Sequence, residues 1–158
     1  MAHSLTEMNI KQPILDLVKR EFGSMLESPG SGIPPQEFPL KALKTTFKAD
    51  FAYRIKQGGW LFIEDDSHGT CLSNLLKYAA WISETKPEMP IYLIHIIAPK
   101  DSGWVRLCRL EGERLNRTII NFTHIVISTP DWPEQNPKWL DFLRQEINKI
   151  NRFGSTKR

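Results

Sequence analysis

The spacing of apolar residues changes several times along the chain, and each spacing predicts a different kind of element. Over Gln12–Leu26 apolar residues recur at intervals of three and four, as on one face of a helix. The same spacing predicts a second helix that starts at Thr70 or Ser73 and ends near Ser83. It also predicts a third helix over Trp139–Ile150.

Between the first two predicted helices the apolar period falls to two, which is typical of strands with one buried face. Apolar residues over Phe47–Ile55 alternate with polar ones, and the pair Gly58-Gly59 marks a hairpin turn. Trp60–Glu64 is the predicted return strand, and Leu40–Thr46 is predicted as a further strand.

Three more strands are predicted in the second half of the chain. Ile91–Ala98 and Thr123–Ser128 are nearly continuous apolar runs, as expected for strands that are covered on both faces. Trp104–Leu110 is predicted as a peripheral strand. Because helices and strands are mixed along the chain, we expect an α/β fold with a mixed central sheet flanked by helices on both faces.

The composition fits one folded domain. The 158 residues include 41% hydrophobic and 25% charged residues, and we expect a single domain over residues 1–150 with a basic flexible tail over residues 151–158. The net charge of +3 permits a nucleic-acid partner. No signal sequence or apolar run of spanning length is present, so the sequence predicts a cytoplasmic protein that does not contact a membrane. Two cysteines, Cys71 and Cys108, cannot form a disulfide framework.

The acidic residues of the predicted hairpin are the first candidates for chemistry. Asp50 lies within one strand, and Glu64-Asp65-Asp66 ends the next. If the loop is Gly58-Gly59 alone, Asp50 lies on the face opposite Glu64 and Asp66. If the loop also includes Gln57, Asp50 faces Asp66 and all three carboxylates share one face, and we expect this second register.

Carboxylates that face each other across a strand pair repel unless a cation lies between them. With Mg²⁺ or Mn²⁺ the same groups form a site of hard oxygen ligands. The alternative is purely structural, because Asp65 and Asp66 also suit the turn that ends a strand. On the following helix, Lys77 lies among apolar residues, so it either extends to solvent or places its ammonium near the carboxylates.

These residues together resemble the PD-(D/E)xK nuclease superfamily, which includes restriction endonucleases and junction resolvases. The resemblance rests on Asp50, then Glu64-x-Asp66, then Asn74-x-x-Lys77-Tyr78. Ala49 stands where the family usually has proline, and Asp66 stands where it usually has the lysine. A variant of the superfamily moves that lysine to the next helix, and Lys77 fits the variant.

The resemblance implies a restriction-endonuclease-like core of a helix, three antiparallel strands, a helix and a further strand. It also implies that Asp50 and Glu64 bind Mg²⁺, with the Asp65 carbonyl as an extra ligand. Lys77 would orient the attacking water or offset charge in the transition state, and Asp66 would be a second ligand or a partner of Lys77.

Further residues are accessory candidates. Glu21 matches an extra acid of some family members, Asn74 belongs to the lysine motif, and His68 lies two residues beyond Asp66 but also suits a turn. His95 and His124 lie in predicted strands and are expected to be core histidines, since no zinc-type spacing of Cys and His is present. The predicted nucleic-acid-binding residues are Lys48, Arg54 and Lys56.

Two functions from different classes are therefore expected. The first is a metal-dependent nuclease that hydrolyses DNA phosphodiester bonds, with Mg²⁺ or Mn²⁺ as cofactor. The second is a module of the same fold without catalysis, which binds nucleic acid or a protein partner. A homodimer or a larger assembly is expected for the nuclease, because cutting two strands needs two sites.

Overall fold

A computed structural model describes residues 16, 19–20, 22–27, 37–41, 43–66, 69–97, 102–128 and 145 of the chain, and the statements below concern these residues. A short 3₁₀ turn over Gly23–Met25 precedes the first strand. In chain order the strands and helices are β1 (Glu37–Leu40), β2 (Thr45–Lys48), β3 (Phe51–Arg54), β4 (Trp60–Asp66), α1 (Cys71–Thr85), β5 (Ile91–Ile97), α2 (Gly103–Thr118) and β6 (Phe122–Ser128).

Four of the strands form one mixed sheet in the order β3-β4-β5-β6. β3 is antiparallel to β4, whereas β4, β5 and β6 are parallel to one another. Parallel neighbours need a crossover connection, and α1 and α2 provide the two crossovers. The predicted α/β class with a mixed sheet is thus confirmed.

The two faces of the sheet bury different sets of residues. One face carries Phe62 and Leu93, which pack in one cluster with Leu75 of α1 and Val105 of α2, so both described helices cover this face. The other face buries a separate cluster around the apolar residues of β3, β4 and β5. Phe22, which is helical, packs into this second cluster next to the 3₁₀ turn.

The predicted strand Phe47–Ile55 is broken in the structure at Ala49 and Asp50. Phe47 in β2 pairs with Phe38 in β1, and its ring packs 4.9 Å from that of Tyr78 on α1, centroid to centroid. Because β1 and β2 lie against the helix as a separate hairpin, only β3 continues into the main sheet. The expected run of three antiparallel strands therefore does not form one sheet. The strand predicted over Leu40–Thr46 is also wrong as one element, because Leu40 ends β1 and Thr45 begins β2.

The peripheral strand predicted over Trp104–Leu110 is wrong, because these residues form the first half of α2. Ser102 caps the helix by accepting a hydrogen bond of 3.3 Å from the backbone N–H of Val105. Val105 and Cys108 face the core, whereas Trp104 is 56% exposed. The exposed apolar residues obscured the helical spacing, which is why a strand was predicted.

The described residues test some of the remaining predictions but not others. The predicted second helix is confirmed as α1, which ends at a left-handed Lys86 just before Pro87. Residues 139–150 lie outside the described part except Gln145, which is helical, and the tail lies wholly outside it. Neither of the two described helices has the length and hydropathy needed to cross a lipid bilayer.

Candidate functional site

The turn between β3 and β4 sets the register that positions the acidic residues. Arg54 pairs with Trp60, and the backbone N–H of Ile55 donates to the carbonyl of Gly59 at 3.2 Å, so the loop is not the predicted Gln57-Gly58-Gly59 and the predicted register is wrong. Gly58 and Gly59 both have positive φ, and a Cβ on Gly59 would lie 2.2 Å from the carbonyl oxygen of Pro90. Only glycine allows this backbone conformation and this close approach.

The observed register still places Asp50 and Glu64 on the same face of the sheet. Phe51 pairs with Ile63, so Asp50, one residue earlier, lies opposite Glu64. A register shift of two residues preserves which face each side chain occupies, and the predicted common face is therefore retained. Oδ2 of Asp50 also accepts a hydrogen bond of 2.8 Å from the backbone N–H of Asp65.

Glu64 is a buried carboxyl group in direct contact with a second one. Glu64 is 4% exposed, it lies beside the Asp50 carboxyl, and its Oε1 accepts a bond of 2.5 Å from the phenol of Tyr78. Burial, followed by the charges and contact of the neighbouring carboxylates, raises the pKa of Glu64 to about 8, although the Tyr78 hydrogen bond opposes this rise. Glu64 thus keeps its proton at neutral pH.

Asp66 lies on the same face and is surrounded by donors. Its Oδ1 accepts hydrogen bonds from Nδ2 of Asn74 at 2.6 Å and from Oγ1 of Thr70 at 3.2 Å, and its Oδ2 contacts Nε2 of His95. Burial alone would raise the pKa of Asp66. The hydrogen bond and charge of His95, helped by Asn74 and Thr70, outweigh burial and lower that pKa, so Asp66 is ionised.

Lys77 connects to this carboxylate through Asn74. Its Nζ donates to Oδ1 of Asn74 at 3.2 Å, and the amide of the same asparagine donates to Asp66. Asn74, Lys77 and Tyr78 lie three and four residues apart on α1, so they share one side of the helix. The helix begins five residues after β4 ends, which brings its first two turns over the acidic end of that strand.

A second polar cluster adjoins the first and was not predicted from the sequence. Nδ1 of His95 lies 3.3 Å from Nε2 of His124 on the neighbouring strand. With Cys108 of α2, these buried residues offer three ligand atoms that all lie within 4.8 Å of one another. The available signal was a histidine at the centre of each apolar strand, but their approach to a cysteine depends on α2, which was predicted as a strand.

The remaining candidate residues are scattered or outside the described part. Glu21 and His68 lie outside the described residues. The predicted ligand from Asp65 is its backbone carbonyl, which stays a prediction; its side chain lies on the opposite face of β4 from Glu64, because neighbouring side chains of a strand alternate. The guanidinium of Arg54 lies 5.0 Å from the centre of the Trp60 ring, at the turn end of the hairpin, far from the acids.

Lys48 and Lys56 are both exposed, and the structure does not gather them with Arg54 into one patch around the acids. Lys48 ends β2, two residues before Asp50, whereas Lys56 lies in the hairpin turn.

Comparison of the chain with protein-family models, with curated proteins and with solved structures gives no significant match. The functional argument therefore rests on the geometry of the described residues.

Proposed function

We propose that this protein is a metal-dependent nuclease that hydrolyses DNA phosphodiester bonds, with Mg²⁺ or Mn²⁺ held by Asp50 and Glu64. The observation that carries the proposal is the contact between these two carboxyl groups on one face of the sheet. A restriction-endonuclease-like core, in the variant with its lysine on the following helix, is part of the same proposal. It is supported by the position of Lys77 on α1, one helical turn after Asn74.

The residues present fit a hard divalent cation. Carboxylate oxygens are the ligands that Mg²⁺ and Mn²⁺ prefer, and the pair supplies oxygens from β4 and from the break between β2 and β3. Burial and the charges of the neighbouring carboxylates raise the pKa of Glu64 to about 8, so Glu64 keeps its proton at neutral pH. A cation that replaces this proton relieves the repulsion, which supports a binding role for the pair.

The neighbouring residues suit the chemistry of phosphodiester hydrolysis. A bound divalent ion polarises the scissile phosphate and lowers the pKa of an attacking water. Tyr78 fixes the orientation of Glu64 through its hydrogen bond, and Asn74 fixes both Asp66 and the ammonium of Lys77. In this proposal Lys77 orients the water or stabilises the negative charge that develops on the phosphate.

DNA would reach the site across the exposed edge that carries Asp50. Lys48 is exposed two residues away along the chain and is the basic candidate nearest in sequence to the acids. Arg54 and Lys56 lie towards the turn end of the hairpin, where they could contact phosphates further along the same DNA. Such contacts would be insensitive to sequence and weakened by salt.

The alternative is a module of this fold that binds nucleic acid or a protein partner without catalysis. One observation favours it: Asp66 accepts bonds from Asn74, Thr70 and His95, so its oxygens are already engaged and are less available to a cation. If the protein cuts both strands of a duplex, a homodimer or larger assembly would supply the second site.

Plasmid cleavage tests the proposal directly. Supercoiled DNA is incubated with the full chain and Mg²⁺, Mn²⁺ or EDTA, for the wild type, Glu64→Ala and the control Glu113→Gln. Glu113 is an exposed carboxylate on α2, so its substitution leaves the acidic pair intact. Nicking that requires metal, persists in Glu113→Gln and is lost in Glu64→Ala supports the nuclease. Salt-dependent DNA binding without any nicking contradicts it and supports the module.

A further inference from the structure

We propose that His95, Cys108 and His124 form a second metal site, distinct from the acidic pair and selective for a thiophilic transition metal such as Zn²⁺. The three residues belong to β5, α2 and β6, and all three are buried. A metal held there would link the parallel strands β5 and β6 to the helix that connects them. The inference does not depend on the proposed nuclease function, because it uses none of the acidic pair.

The spacing of the nitrogen atoms fits tetrahedral coordination. Two imidazole nitrogens bound to zinc at about 2.0–2.1 Å with a tetrahedral angle lie about 3.3 Å apart. Nδ1 of His95 and Nε2 of His124 are 3.3 Å apart. The sulfur of Cys108 lies within 4.8 Å of its partners and would move by about 1 Å to reach the separation typical of a zinc–thiolate ligand.

The contact between His95 and the carboxyl group of Asp66 is of a kind that is common in zinc sites. Nε2 of His95 is in hydrogen-bonding contact with Oδ2 of Asp66, whose other oxygen accepts from Asn74 and Thr70. The second ring nitrogen of His95, Nδ1, faces Nε2 of His124. A carboxylate that accepts from one nitrogen of a metal-bound histidine fixes its tautomer and orientation, and this arrangement recurs in zinc proteins.

Helix α2 is fitted closely around His124. A Cβ on Gly112 would lie 1.9 Å from Nδ1 of His124, so only glycine lets the helix approach the ring this closely. One turn earlier, Cys108 reaches the same ring. One turn later, Asn116 accepts from the backbone N–H of His124 at 2.7 Å and donates to its carbonyl at 3.2 Å. Three successive turns of α2 therefore position one histidine.

Ligand chemistry separates this site from the acidic pair. Thiolate and imidazole ligands favour zinc and similar metals, whereas carboxylates favour Mg²⁺ and Mn²⁺. Binding deprotonates the thiol, so each metal ion that enters forms one metal–sulfur bond and two metal–nitrogen bonds and releases one proton to solvent. The fourth tetrahedral position is left for a water or another ligand.

Cobalt titration of the reduced, chelator-stripped full chain tests the proposal. Co²⁺ bound to a thiolate gives a charge-transfer absorption, and we expect it to saturate at one equivalent and to disappear on addition of Zn²⁺. The absorption should be lost in Cys108→Ser and retained in Cys71→Ser. Cys71 is the other buried thiol and contacts the Cys108 thiol without being among the three clustered residues, so Cys71→Ser removes that contact and leaves the proposed sulfur ligand in place.

Two further measurements keep the test decisive. Glu64→Gln should retain the cobalt absorption, so a failure of the nuclease proposal does not imitate a failure of this one. X-ray absorption of zinc-loaded wild-type protein reads the ligands without any substitution, and we expect one sulfur and at least two nitrogens. No charge-transfer absorption in the wild type, its survival in Cys108→Ser, or a zinc environment without sulfur would overturn the proposal.

Discussion

Tyr78 donates a hydrogen bond of 2.5 Å to Oε1 of Glu64, and this contact joins α1 to the acidic end of β4. Burial, together with the neighbouring carboxylates, raises the pKa of Tyr78 well above its usual value, so the phenol remains a donor. Glu64 in turn lies beside Asp50, at the break between β2 and β3. A single buried carboxyl group thus connects α1, β4 and the segment that leads into the edge strand β3.

Glu64 should make the stability of the fold fall as pH rises from about 4.5 to about 8. The unfolded chain releases the Glu64 proton near 4.5, whereas the folded chain keeps it until about 8, so the folded state binds more protons between these values. Glu64→Gln stays neutral and should be more stable than the wild type by on the order of 2–4 kcal/mol at pH 9. Urea unfolding from pH 5 to 9 checks this, and parallel profiles for the two proteins would contradict it.

Tyr78→Phe should move the Glu64 titration to higher pH. The phenol stabilises the ionised carboxylate, so its removal raises the pKa of Glu64 further and costs about 1–3 kcal/mol of unfolding free energy. Tyr53→Phe is the matched control, because Tyr53 is also buried but lies on the other face of the sheet. The pH profile of Tyr53→Phe should keep the wild-type midpoint. An unchanged midpoint in Tyr78→Phe would show that the hydrogen bond does not influence Glu64.

Lys77→Met should reduce cleavage more than DNA binding. Loss of a group that stabilises transition-state charge typically lowers the rate by about 10²–10³-fold. Lys56→Met, in the hairpin turn away from the acids, should weaken binding in a salt-dependent way and leave the rate at saturating DNA unchanged. Single-turnover cleavage and filter binding measure the two effects separately. Equal rates for Lys77→Met and the wild type would exclude Lys77 from the chemistry.

Gly112→Ala should destabilise the protein although alanine favours helices. The added methyl would lie 1.9 Å from Nδ1 of His124. Alanine gains about 1 kcal/mol of helix propensity over glycine, but the overlap in a packed core more than offsets this gain and leaves a net loss of about 1–3 kcal/mol of unfolding free energy. Gly103→Ala, at the first residue of the same helix, meets nothing within 4 Å and should be neutral or stabilising. Thermal unfolding compares the two variants, and a stabilised Gly112→Ala would contradict the close packing.

The sequence predicted the helices and strands in which apolar residues recur at a regular spacing, but not how these elements are arranged. The apolar runs of β5 and β6 and the amphipathic stripe of α1 are local patterns, and all three are strands or a helix as expected. The break at Ala49 is set by contacts of Phe47 with α1, which are distant along the chain. The first half of α2 was mistaken for a strand because Trp104 and its apolar neighbours are exposed on the helix surface.

The candidate site was predictable where the alternation of side chains along a strand is enough to decide which face of the sheet a residue occupies. Asp50 and Glu64 share a face in any register that differs by an even number of residues, so an error of two residues did not separate them. The contact of Asp66 with His95 was not predictable, because it requires knowing that β4 and β5 are adjacent and parallel. The approach of Cys108 to both histidines required the packing of α2 as well.

Crystals soaked in Mn²⁺ provide the most direct measurement of the central claim, that Asp50 and Glu64 together bind a divalent cation. Anomalous difference density between the two carboxyl groups is predicted for the wild type and should be absent in Glu64→Ala. Wild-type crystals that show no density there, at a Mn²⁺ concentration that saturates any cleavage activity, would contradict the claim.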